Sequence, residues 1–160
     1  MAEKSRRLHH RNIPLLLMQA RERVISYFRP ILNAHCITEP QWRIVRVLLD
    51  VPALEPRQIG ELCTISSPSM AGVLERMELA GYITRRRAEH DQRRVLVSLT
   101  AKSRRLAAEM APEIDATYRR IEKLLGVEFS AQLYETLDFV LEQLPRESET
   151  RLAEEMGEAR

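Results

Sequence analysis

The run ISSPSMAGVLERMELAGYITR, residues 65–85, decides the fold. Ser67-Pro68 opens a helix there, because proline fits a first turn where its missing N–H costs nothing, and Ser67 is read as the N-cap. Met70, Val73, Leu74 and Met77 follow at helical spacing and make one apolar face. Ala80-Gly81 ends the helix, since glycine accepts the left-handed conformation of a helix C-terminus. The opposite face carries Ser69, Gly72, Glu75 and Arg76, small and polar residues that permit close approach to another molecule. Just upstream, Glu55-Pro56 starts a two-turn helix with Ile59, Leu62 and Cys63 turned inward. Across Thr64-Ile65-Ser66 the two helices form a helix-turn-helix.

Downstream the apolar period changes. Tyr82-Ile83-Thr84-Arg85 and Val95-Leu96-Val97-Ser98-Leu99 have strand character, and the polar stretch from Arg86 to Arg94 lies between them. The reading is a two-stranded hairpin with a long basic tip, a wing beside the helix-turn-helix. Upstream, Thr38 and Gln41 form a capping box for a helix carrying Trp42, Val45, Leu48 and Leu49 and ending near Val51-Pro52. Before it, Leu17, Ala20, Val24, Phe28 and Ile31 stripe a helix over 13–33, with a kink expected at Pro30. After the hairpin, Thr100 caps a long helix marked by Leu106, Met110, Ile114, Tyr118, Ile121 and Leu125, bent at Pro112 and closed by Gly126. Ser130 is read as the cap of a last helix with Leu133, Leu137, Val140, Leu141 and Leu144, closed by Pro145.

The fold class is therefore mainly α with a small β-hairpin wing: a winged helix-turn-helix domain plus N- and C-terminal dimerisation helices. Its expected parts are a basic flexible tail (1–12), a dimerisation helix (13–37), the DNA-binding domain (38–100), dimerisation helices (101–145) and a flexible charged tail (146–160). The first and last helices have no large domain of their own to cover their stripes, so a homodimer is expected to bury them.

A chain of 160 residues with 25 Lys+Arg, 23 Asp+Glu and a formal net charge of +2 hides a strong asymmetry. Residues 57–105 carry +5, and 106–160 carry −7. Between Arg85 and Arg105 there are eight basic and two acidic residues. A basic middle beside a helix-turn-helix reads as a nucleic-acid footprint. No apolar run approaches the ~18–20 residues of a membrane-spanning helix, and no signal peptide is expected at the basic start. Cys36 and Cys63 form neither a disulfide framework nor a metal-ligand spacing, which fits a reducing cytoplasm. A phosphate-binding glycine loop, a zinc-protease helix and a nucleophile motif are all missing, so an enzyme is not expected, nor a cofactor or metal.

TEPQWRIVRVLL (38–49), ISSPSMAGVLERMELAGYITR (65–85) and DQRRVLVSLT (91–100), in that order, resemble the MarR family of winged-helix repressors. LLLMQARERVISYFRPI (15–31), ahead of TEPQWRIVR, resembles the branch that represses homoprotocatechuate catabolism. The resemblance implies a dimer whose recognition helices enter successive major grooves of a pseudo-palindromic operator, with wings reaching the minor grooves. Carried over by position, Ser67, Pro68, Ser69 and Arg76 match recognition-helix contacts, and Arg93 matches the wing-tip arginine. Asp91 matches the acid that orients neighbouring arginines, beside the plainer reading of a solvated turn residue. Arg86, Arg87 and Arg94 suit phosphate contacts.

The family also implies a small aromatic acid bound between the dimerisation helices and the winged-helix lobe, releasing the operator. A carboxylate there needs a fixed cation, best an arginine fork. Arg21, Arg43 and Arg46 are the candidates, with Phe28 and Trp42 as aromatic walls and His35 as partner to a ring hydroxyl or nitrogen. Each has a structural alternative: Arg21 as a snorkelling side chain or an intersubunit ion pair, Trp42 as core. Control of aromatic-compound catabolism by a hydroxyphenylacetate- or hydroxynicotinate-like inducer is the expected function. The alternatives are a regulator sensing thiol oxidation or no ligand, and a helical adaptor that does not bind DNA. A peroxide-sensing branch keeps a reactive cysteine in the first helix; here that helix has none, and Cys36 follows it. His9-His10 and His35-Cys36 lack the spacing of a zinc-sensing branch.

Overall fold

The computed structural model describes residues 10–88 and 90–144. Among them the element order is α1 (Ile13–Ala34), α2 (Glu39–Asp50), α3 (Pro56–Cys63), α4 (Ser67–Leu79), β1 (Ile83–Ala88), β2 (Asp91–Leu99), α5 (Ala101–Leu125) and α6 (Val127–Gln143). The two strands pair antiparallel. This is the mainly helical fold with a hairpin wing that the sequence predicts. The chain divides into two compact units, residues 1–117 and 118–160. The tail expected at 1–12 lies outside the described residues except for its last three positions. The tail expected at 146–160 and the closing Pro145 lie wholly outside them.

The first unit holds the winged helix. Its core joins Ile44, Val45 and Leu48 of α2, Ile59 of α3, Leu74 and Met77 of α4, Ile83 and Val97 of the sheet and Met110 of α5, none more than 2% exposed. The Thr38–Gln41 capping box is present, and Thr100 Oγ1 accepts from Ser103 N at 3.3 Å at the start of α5. All four apolar residues expected on the inner face of α4 are buried.

Three helix ends use one device. Cys36, Thr64 and Gly81 each take positive φ, at 53°, 51° and 73°. In each case the next amide reaches back five residues: Ile37 N to Leu32 O, Ile65 N to Gly60 O and Tyr82 N to Met77 O, at 3.0, 2.9 and 2.8 Å. This closes the last turn and turns the chain sharply. At Thr64 the residue is β-branched, for which left-handed backbone costs about 1–3 kcal/mol, so neighbouring contacts must hold it.

The structure corrects several local expectations. Ser66 rather than Ser67 is the N-cap of α4, with Ser67 already helical. Helix α3 does start after Glu55 as read, with Glu55 N donating to Gln58 Oε1 at 2.9 Å. Ser130 lies inside α6, which starts at Val127 after Gly126; its hydroxyl donates to the Gly126 carbonyl at 2.9 Å. The glycine takes φ 90° there, and that turn starts the helix earlier than a serine cap would. Pro30 and Pro112 both lie inside helices, α1 and α5, which continue past them. The basic tip is also shorter than expected, because Arg86, Arg87 and Ala88 belong to β1 and Asp91 to Arg94 belong to β2. Pairing runs regularly from Ile83↔Leu99 to Arg87↔Val95, then shifts to Ala88↔Asp91, so β2 carries the extra residues of an irregularity. A polar strand is stable here because solvent satisfies its side chains while the ladder satisfies its backbone.

The stripe of α1 is covered only at one end. Phe28, Ile31 and Leu32 are buried, whereas Ile13, Leu15, Leu16, Leu17, Met18 and Val24 are exposed. The described part of the second unit is the end of α5 and α6. It exposes Val127, Phe129, Tyr134, Leu137, Phe139, Leu141 and Leu144.

Candidate nucleic-acid interface and effector cavity

Ser67, Pro68 and Ser69 form the exposed first turn of α4. Free N–H groups there give that end a partial positive charge suited to phosphate. Ser66 Oγ donates to Ser69 Oγ at 3.1 Å. Arg76 is exposed on the last turn of the same helix. A Cβ placed on Gly72 would come 3.2 Å from Arg76 Nη1, so the glycine leaves room for that side chain to lie along the helix.

On the wing, Arg86, Arg87, His90, Asp91 and Arg94 line a concave surface of about 430 Å³. Arg87 Nη1 donates to Gln92 O at 3.2 Å. Asp91 Oδ1 accepts from Arg93 N at 3.0 Å, so the acid shapes the strand irregularity that presents Arg93. Arg93 forms no ion pair among the described residues, whereas Arg94 pairs with Glu55, its Nε donating at 2.7 Å. The wing root is tied to the same segment by Leu54, which exchanges two backbone bonds with Val97 at 3.2 and 2.8 Å. Sequence reading missed both ties, because Glu55 and Arg94 are 39 positions apart.

The six effector candidates separate. Trp42 and Arg46 from α2 share a cavity of about 280 Å³ with Leu49 and, from α5, Arg104, Ala107, Ala108, Ala111, Ile114 and Asp115. Neither Arg46 nor Arg104 forms an ion pair among the described residues, so two cations stand by one aromatic wall without a counter-ion closer than 4 Å. Arg21 instead pairs with Glu39 across α1 and α2. Arg43 donates to the Cys63 carbonyl at 2.5 Å and to the Thr64 carbonyl at 3.5 Å. It thereby clamps the end of α3 where the backbone is left-handed, which supplies the contact that Thr64 needs. Phe28 is buried, and His35 Nε2 faces Glu113 Oε1 at 3.8 Å. Arg104 and Asp115 were not singled out from sequence. Their signal was there in the alanines of α5, small residues at helical spacing that leave a hollow instead of filling it.

Burial pushes the Cys63 thiol up from its ordinary pKa, opposed by the nearby Arg43 charge, while Cys36 is exposed. A protonated thiol is a poor nucleophile. Native protein is therefore expected to react rapidly with Ellman's reagent at one thiol per chain, Cys36, and at Cys63 only on unfolding. Fast modification of both would contradict this assignment. The folded state holds the Cys63 proton to higher pH than the unfolded state does. Its contribution to stability is then complete below the ordinary thiol pKa and is lost as pH rises through the raised value.

Among the described residues no three His, Cys, Asp or Glu gather to hold a metal, and no helix is long and apolar enough to cross a membrane. Residues 37–95 match the MarR family. The homoprotocatechuate degradative operon repressor of Escherichia coli is 37% identical over 134 residues, 84% of this chain and 88% of the relative. Among solved structures, the transcriptional regulator PA4135 superposes with a TM-score of 0.83 at 40% identity, covering 85% of this chain and 100% of the other. NadR in complex with 4-hydroxyphenylacetate gives a TM-score of 0.74 at 38% identity, with 88% and 97% covered.

Proposed function

The chain belongs to the MarR family and is a transcriptional repressor, not an enzyme; from this premise we propose that it is a cytoplasmic homodimer that releases a pseudo-palindromic operator when a small aromatic acid binds. The acid is hydroxyphenylacetate- or hydroxynicotinate-like, and the regulated genes serve aromatic-compound catabolism. The observation that carries the effector reading is the cavity between α2 and α5, where Trp42 offers a ring face beside Arg46 and Arg104, cations with no ion pair among the described residues, and Asp115. A ring of that size stacks on Trp42 while its carboxylate takes a charge-assisted bond from a guanidinium. The relative crystallised with 4-hydroxyphenylacetate supports the chemical class, and so does the relative named for homoprotocatechuate degradation.

DNA contact falls to the first turn of α4, to Arg76, and to Arg86, Arg87, Asp91, Arg93 and Arg94 of the wing. The exposed apolar residues of α1 and α6 support a dimer, since monomers rarely leave such surfaces open. A thermal-shift panel of aromatic acids tests the effector reading. A ligand at about 100 times its Kd adds about 2.7 kcal/mol of stability, and the same compound should release operator DNA by linkage. A panel without a stabilising acid, or a stabiliser that leaves operator binding intact, would overturn it.

A further inference from the structure

The chain just beyond the recognition helix α4 is held by side chains from the start of α5 and from Thr100 immediately before it. Ala80, Gly81 and Tyr82 follow the end of α4, so their carbonyls lie outside its ladder, and Tyr82 O accepts from Thr100 N at 3.1 Å. Lys102 Nζ donates to Ala80 O at 2.7 Å, Thr100 Oγ1 to Gly81 O at 2.7 Å and Ser103 Oγ to Tyr82 O at 2.6 Å. Ser103 is fully buried. The Lys102 ammonium also sits 4.7 Å from the centre of the Tyr82 ring, a cation–π distance. Gly81 itself takes φ 73°, which favours glycine, and the Lys102 stem runs alongside it at ordinary contact distance. A cation at a helix C-terminus meets the negative end of the dipole as well as a free carbonyl.

We propose that Lys102, supported by Thr100 and Ser103, is a positioning residue for DNA reading: it locks the recognition helix to the first turn of α5 and so sets the angle at which α4 meets the major groove. The role rests on the DNA-binding reading of α4. It assigns Lys102 an action through the Ala80 carbonyl and not on DNA phosphate, although it lies in the basic stretch between Arg85 and Arg105. The same turn of α5 continues into Arg104 and Ala107 of the effector cavity, so the lock lies between the two.

The test uses the full chain and a duplex selected by the wild type from a random pool, beside a scrambled duplex of equal length. Successful selection checks the DNA-binding reading by itself. Lys102→Met is expected to weaken the selected duplex about tenfold, the size of one charge-assisted hydrogen bond. It should leave the scrambled duplex within about twofold and the salt slope unchanged, and Lys102→Arg should restore binding. Thr100→Val should weaken the selected duplex in the same direction. Independently of DNA, amide exchange at Gly81 and Tyr82 should quicken in Lys102→Met. Equal loss on both duplexes, or a salt slope reduced by about one phosphate contact, would overturn the proposal. So would wild-type affinity with unchanged exchange, or no rescue by arginine.

Discussion

Replacing Arg93 with alanine is expected to weaken operator binding by about tenfold to a hundredfold, the range for one arginine contact that reads a groove. The strand irregularity after Arg87 sets Arg93 out from the ladder, and Asp91 fixes its amide at 3.0 Å. Its guanidinium has no ion pair among the described residues, so it reaches DNA without first breaking one. A narrow minor groove concentrates negative potential and draws such a side chain in. The preference for A·T-rich flanks should relax, while the log–log salt slope changes by less than the about 0.9 of a lost phosphate contact. Arg94→Ala is expected to cost less, since Glu55 already holds that side chain. Anisotropy titrations of selected duplexes with A·T-rich and G·C-rich flanks, at several salt concentrations, measure these effects. An Arg93→Ala chain that binds within about twofold of wild type would place the wing off the DNA.

The second large effect is expected at Arg46. Arg46→Ala should lower affinity for the aromatic acid about tenfold to a hundredfold, because a charge-assisted bond to the carboxylate is lost in a partly enclosed site. Operator affinity without ligand should stay the same. The side chain is exposed and supports no described ion pair, so the melting temperature should move little. Arg46→Lys should recover only part of the affinity, since an ammonium cannot form the planar fork. Calorimetry with a stabilising acid measures this. Arg21→Ala in the same titration separates the candidate cations, because Arg21 already faces Glu39. Unchanged ligand affinity in Arg46→Ala would move the carboxylate elsewhere.

Local signals in the chain were enough for most of the architecture. The Thr38–Gln41 box, the four buried positions of α4 and the Gly81 stop all stand as read, because caps and apolar spacing act over one or two turns. The misreadings have equally local causes. Ser130 looks like a cap, yet Gly126 had already turned the chain. The polar residues after Arg85 look like a loop, although strand pairing needs only the backbone.

The helix-turn-helix, the wing beside it, and a basic middle set against an acidic end are all legible in the order of residues. Those features depend on neighbours in the chain. Which charges remain free to act is settled in three dimensions. Arg21, Arg43 and Arg94 found Glu39, the Cys63 carbonyl and Glu55, while Arg46 and Arg93 found no ion-pair partner among the described residues. Folding also brought Trp42 and Arg46 against Arg104, and Lys102 onto the end of α4. Ion pairs and capping bonds form at separations of a few ångströms. Sequence spacing does not encode such distances once they join different helices.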